Sequence, residues 1–183
     1  GAAQAQEPRV RDGYRFFEYS HAPRDDWPPG QHDYADWLRA QGHDSTALLN
    51  VKPGFGGLLA PSPEHPNVPP EVHQTTWATE KSIEFINQQR PASQPWFLSV
   101  NVYDPHPPFN PPWEFYRRFE PEALPGPRFR PSDLVHQAKL RASGIDFQSP
   151  ALQPEEFEAK KLQAAFHAMI ELIDEQYGRM LQA

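Results

Sequence analysis

Trp96-Phe97-Leu98-Ser99-Val100-Asn101-Val102-Tyr103 runs directly into Asp104-Pro105-His106-Pro107-Pro108-Phe109. In the first part the even positions (Trp96, Leu98, Val100, Val102) are all apolar, while the odd ones (Phe97, Ser99, Asn101, Tyr103) are mixed. That pattern predicts a central strand covered on both faces, as in parallel α/β sheets. The second part is a stiff turn, because Pro105, Pro107 and Pro108 restrict φ around His106. Ligands in open α/β sheets bind at the carboxyl ends of strands, which makes His106 the leading functional candidate. An imidazole held there can donate a hydrogen bond to an oxyanion. The plainer reading is a polar residue that serves only the turn.

Helices are expected on both sides of this stretch. One runs from Pro70 or Thr75 to Gln89, with Ala78, Ser82, Phe85 and Ile86 on one face and Arg90-Pro91 as its stop. A shorter one spans about Gln31 to Gln41, where Tyr34, Trp37 and Leu38 share a face and Gly42 supplies a left-handed stop. Trp113 to Phe119 could make two helical turns. The longest covers Pro154 to Gln182, where Leu162, Phe166, Met169, Ile170, Ile173, Tyr177, Met180 and Leu181 recur at helical spacing and read as a core stripe. Residues 44–70 and 120–154 read as long Pro-rich loops, and Arg11 to Asp26 as loop with at most a short strand. One strand cannot make a sheet, so the pattern implies neighbours that the chain does not supply.

Composition narrows the function classes. The chain has 183 residues, a net charge of −7, 38% hydrophobic residues, 23 prolines and no cysteine. The mild acidity, without any Lys/Arg block, argues against nucleic acid or an anionic membrane surface as partner. No stretch approaches the roughly 18 apolar residues that would span a bilayer. Lack of cysteine removes disulfides, thiolate metal sites and Cys nucleophiles together. Gly1 to Pro8 shows neither a basic nor an apolar leader segment, and residues 1–12 read as a flexible tail or cloning scar. No compartment is assigned.

Eight histidines (21, 32, 43, 65, 73, 106, 136 and 167) form no HxH, HxxxH or HExxH pair, so no helix-borne zinc site is expected. Most read as solvated loop residues, and His167 as a boundary residue beside the apolar stripe. His73, in Val72-His73-Gln74-Thr75-Thr76-Trp77, is a second candidate, because free N–H groups at a helix start can help to hold an anion. Asp104 precedes a proline and reads as a turn initiator. Asp25-Asp26 and Glu155-Glu156 read as solvated carboxylates, the latter pair suited to the first turn of its helix.

Several blocks resemble the middle of a sulfatase, a branch of the alkaline phosphatase superfamily. They are His73 to Ile86, with its Ile-x-Phe-Ile ending, then Pro95-Trp96-Phe97-Leu98-Ser99-Val100, and then the Asp104-Pro105-His106-Pro107-Pro108-Phe109 turn. Met169 to Leu181 is similar to the family helix that leads into its next core strand, and Tyr14 to Gly42 resembles the segment after the family's active-site lysine and histidine. The resemblance implies an α/β fold, here an incomplete alkaline-phosphatase-like sandwich with a central buried strand, flanking helices and long Pro-rich loops. Residues 13–183 would then be an internal segment of one catalytic domain.

The resemblance also implies that His106 contacts the sulfate of a small-molecule sulfate ester. The family's Cys/Ser-x-Pro-x-Arg motif, its paired calcium-binding aspartates and its Asp-His/Asn motif are not found here. Ser93-Gln94-Pro95 has the Ser-x-Pro start but lacks the Arg. Calcium and formylglycine are therefore expected of the parent enzyme and not of this chain, which alone should be inactive and should self-associate through exposed core surface. Two alternatives remain: a fragment of a phosphonate or phosphodiester hydrolase of the same superfamily, or a non-catalytic binding module presenting Trp27, Trp37 and Trp113.

Overall fold

The computed structural model describes residues 13–21, 29–50, 58–144 and 152–183. The tail at 1–12, the Asp25-Asp26 pair and Trp27 lie outside them. Six α-helices follow in order: α1 (Asp33–Ala40), α2 (Ser45–Leu49), α3 (Gln74–Glu84), α4 (Trp113–Tyr116), α5 (Pro131–Ala142) and α6 (Ala159–Gln182). A five-residue π-turn, Phe85–Gln89, extends α3 to the stop at Arg90.

The punctuation expected of α1 and α3 is present. Gly42 takes φ +83°. Its N–H donates to the Arg39 carbonyl, and the His43 N–H donates back to Leu38, both at 3.0 Å. These two bonds make a Schellman stop that only a residue tolerant of left-handed backbone accepts easily. Both helices begin with a histidine cap: His32 Nδ1 accepts from the Ala35 N–H at 3.1 Å, and His73 Nδ1 accepts from the Thr75 N–H at 3.3 Å. Reading most histidines as solvated fails at these two, which are buried because their rings fold back over the helix start.

Two apolar clusters organise the described residues. In the first, Tyr34, Ala35 and Leu38 of α1 pack with Leu49, Val68, Val72 and Trp77. In the second, Leu58, Phe115 and Tyr116 pack on Ala164, Ala165, Ala168 and Leu172 of α6. The loop at 58–67 is sewn to 109–113 by a parallel bridge between Leu58 and Phe109. Asn67, at φ +61°, reinforces this seam by donating to the carbonyls of Leu59 (2.7 Å) and Pro111 (3.0 Å).

Four expectations are corrected. The stretch 96–103 is not a strand: no ladder or bridge includes it among the described residues, and Trp96 and Phe97 are 42% and 73% exposed. A buried strand needs partners for its N–H and C=O groups, and no described segment pairs with this one in a ladder. The apolar stripe chosen for α6 is also the wrong face. Met169 is buried, but Phe166, Ile170, Tyr177 and Leu181 are exposed, while Ala164, Ala165, Ala168, Leu172 and Gln176 turn inward. Alanine lets the rings of α4 approach the α6 backbone closely, and the larger residues are left on the outer side.

Within 120–154, read as loop, Pro131–Ala142 forms α5, which buries no residue and so shows no apolar face to detect. Its start was nevertheless written in sequence, with Pro131 at the first position and the Asp133 carboxylate accepting from the Arg130 N–H at 2.8 Å. Within the described part of 44–70, Ser45–Leu49 forms the short helix α2, capped by the Asp44 carboxylate. No described helix is long and apolar enough to cross a membrane.

The corrected face of α6 makes a quantitative claim. Leu172→Ala should lower unfolding stability by roughly 2–5 kcal/mol, whereas Ile170→Ser on the outer face should stay within about 0.5 kcal/mol. Urea unfolding of both variants checks this, and equal losses would return Ile170 to the core.

Candidate functional site

The sequence candidates meet where the 104–108 turn reaches the start of α3. Asp104 is buried at 5% exposure, and its Oδ2 accepts from the Thr75 hydroxyl at 2.5 Å. The same oxygen lies 3.5 Å from His73 Nδ1, and His73 is 1% exposed. Reading Asp104 as a turn initiator alone therefore misses its principal contact, made across 29 residues of sequence. A carboxylate at the first turn of a helix also sits favourably against the positive end of the helix dipole. Its charge is felt nearby: the Tyr34 and Tyr103 hydroxyls are both held above the usual phenol range, first by burial and second by the Asp104 charge. Tyr34 keeps its proton in a hydrogen bond to the Val72 carbonyl at 2.8 Å.

The turn itself is braced from within. The His106 N–H donates to the Tyr103 carbonyl at 3.1 Å. The Pro107 carbonyl then receives two donors, the Tyr103 hydroxyl at 3.0 Å and His106 Nδ1 at 2.7 Å. A carbonyl can only accept, so Nδ1 carries a proton and Nε2 is the ring atom left for another partner. The Tyr103 and His106 rings pack at 4.8 Å between centroids, and His21 stacks behind Tyr103 at 6.0 Å. Gln74 fixes that wall by donating to the His21 carbonyl at 2.6 Å and to the Ser20 hydroxyl. His106 is exposed, as a ligand contact must be, and it is oriented while exposed.

His73 is placed differently from the anion-binding role considered for it. Its Nδ1 faces both the Thr75 N–H and the Asp104 carboxylate, and its Nε2 is buried without a hydrogen-bond partner among the described residues. It is a helix cap inside the chain and not a surface donor. The other histidines do not join the site: His43, His65 and His136 are exposed elsewhere, and His167 stacks on Phe119 at 5.8 Å.

No family model matches this chain. It is 27% identical over 152 residues to an arylsulfatase of Clostridium perfringens (strain 13 / Type A), a match covering 82% of this chain and 30% of that protein. It is 24% identical over 168 residues to the iduronate 2-sulfatase of Mus musculus, covering 85% of this chain and 29% of the relative. This is a sulfatase-like chain. It spans about 30% of the length of these curated relatives. In fold, the sulfatase-like chain matches the crystal structure of the phosphonate monoester hydrolase of Agrobacterium radiobacter with a TM-score of 0.59 at 22% identity, over 85% of this chain and 33% of that one.

The sulfatase likeness brings a metal and a formylglycine into question for the wider family, and the residues in hand do not fit either group. The chain has no cysteine. Among the described residues no group of three or more His, Cys, Asp or Glu side chains could hold a metal ion.

The buried phenols give a signed pH dependence. Because the folded chain holds the Tyr34 and Tyr103 protons more tightly than the unfolded chain does, their contribution is complete below the ordinary tyrosine range, about pH 10. It is lost as pH rises above that, where the unfolded state binds fewer protons. Urea midpoints should fall on the alkaline side, and Tyr34→Phe should make that fall shallower. An equally steep alkaline limb in the variant would show that Tyr34 is not its source.

Proposed function

We propose that this chain is one part of a larger hydrolase of the sulfatase family, acting on small-molecule sulfate esters, with His106 as its contact to the sulfate group. The observation that carries this is the state of the His106 ring: exposed, packed at a tilt against Tyr103, and with Nδ1 committed to Pro107 so that Nε2 is the atom left for a ligand. When the ring is also protonated at Nε2, it presents a fixed N–H and a positive charge to a sulfate oxygen, a stabilisation that grows as charge develops on that oxygen. The sulfate chemistry itself needs a nucleophile and a charge-neutralising metal. Both are assigned to the parent enzyme outside this chain, and the 183 residues alone are inactive.

The likeness in fold to a phosphonate monoester hydrolase favours one second reading, the same turn contacting a phosphonate oxygen. The two readings share the tetrahedral anion and differ in its central atom, sulfur or phosphorus. Exposed Phe166, Ile170, Tyr177, Leu181, Trp96 and Phe97 fit either parent, as surface that the rest of the larger protein covers. Left bare, such surface favours self-association.

Three measurements test this. The coding region around the chain should hold a Cys/Ser-x-Pro-x-Arg motif upstream and an Asp-His/Asn motif downstream. In that complete enzyme His106→Ala should lower kcat/KM for an aryl sulfate by about 10²–10³-fold, and a larger loss on a phosphonate monoester would favour the second reading. Light scattering of the 183-residue chain should show concentration-dependent association that Phe166→Ser with Ile170→Ser reduces. A tight monomer at high concentration would instead support a self-sufficient binding module.

A further inference from the structure

We infer that Thr75 and Asp104 form a positioning clamp for His106, holding the turn on the start of α3 so that the imidazole stays aimed. The inference rests on the reading of His106 as an anion contact, and it adds residues that touch no substrate. His106 is only two residues from Asp104, and its own turn is closed by bonds within 103–107. Those internal bonds fix the ring relative to the turn, but they do not fix the turn relative to the rest of the molecule. The far end is held at Phe109, whose carbonyl accepts from the Leu59 N–H at 2.8 Å, and the attachment on the other side of His106 is made by Asp104 Oδ2, which accepts from the Thr75 hydroxyl at 2.5 Å and lies 3.5 Å from His73 Nδ1, all three side chains being buried.

Thr75 is itself immobilised. It lies in the first turn of α3, its N–H donates to His73 Nδ1, and its carbonyl accepts from the Thr79 hydroxyl at 3.1 Å. Before Asp104, 96–102 enters no ladder or bridge among the described residues, and its packing is by ring contact, as of Trp96 on Phe85 at 5.7 Å between centroids. The clamp is thus a hydroxyl–carboxylate bond in a desolvated place, of the charge-assisted kind that is short and strong. Losing the hydroxyl leaves a buried carboxylate short of a donor and frees the root of the turn.

The test uses the complete enzyme and the variant Thr75→Val, which keeps the shape and removes the hydroxyl, with Thr75→Ser as the conservative rescue. If valine prevents folding, Thr75→Ala, a better helix former, carries the same expectation. The first readout is the pair of His106 ring signals in ¹H–¹⁵N spectra, which Thr75→Val should shift or broaden and Thr75→Ser should restore. Unmoved signals would overturn the clamp. The second is a double-mutant cycle on kcat/KM: Thr75→Val should cost about 10–100-fold in the wild-type background and almost nothing beside His106→Ala. Equal losses in both backgrounds would show a merely structural Thr75 and would also overturn it. If His106→Ala leaves hydrolysis intact, the proposed function fails, and the ring signals still decide the clamp.

Discussion

The contact on which the site depends is the bond between the Thr75 hydroxyl and the buried Asp104 carboxylate. A carboxylate taken out of water loses several kcal/mol of hydration unless donors replace it, so its burial is tolerable only where the donors are already in place. The start of α3 provides that setting, with a hydroxyl fixed in the first turn and a helix dipole of the right sign. The same charge is felt by Tyr34 in the first cluster and by Tyr103 in the turn, so α1, α3 and the turn share one electrostatic centre.

Packing sets how that centre is supported. α3 lies between α1, through Trp77 against Tyr34 at 5.7 Å between ring centroids, and α6, through an ion pair of Glu80 with Arg179. The ion pair is about 40% exposed on each side, so it adds little. α6 is itself held from its buried side by α4, where alanines admit Phe115 and Tyr116. That choice has a consequence for the opposite side. A 24-residue helix with small residues inward and Phe166, Ile170 and Tyr177 outward has two apolar faces. A helix apolar on both sides is ordinarily buried on both sides.

This two-faced character explains what the sequence could and could not disclose. α1 and α3 were legible because their boundaries are local: Gly42 and Pro91 act through φ and lost donors within a few residues. The existence of α6 was legible from its period, but its buried face was not. Hydrophobicity ranks Phe166 above Ala165, while the close approach of α4 selects the smaller residue. The stretch 96–103 has the composition of a strand, yet strand identity depends on neighbours that no local pattern encodes. The stiffness of the 104–108 turn could be read directly from its prolines. The role of Asp104 could not, because its partner Thr75 is 29 residues away and neither residue carries a mark of the other.

The geometry of the turn also limits what this chain can contribute to chemistry. With Nδ1 bonded to Pro107, His106 has one ring nitrogen, Nε2, with which to hydrogen-bond a ligand. A single point contact can orient a tetrahedral anion and stabilise charge on one of its oxygens. It cannot also deliver a nucleophile and neutralise the remaining oxygens, which requires other groups at other corners of the tetrahedron. In the proposed function those groups belong to the rest of the parent enzyme. The clamp at Thr75 then matters more than its size suggests, because a wall contributing one contact is useful only if that contact does not drift.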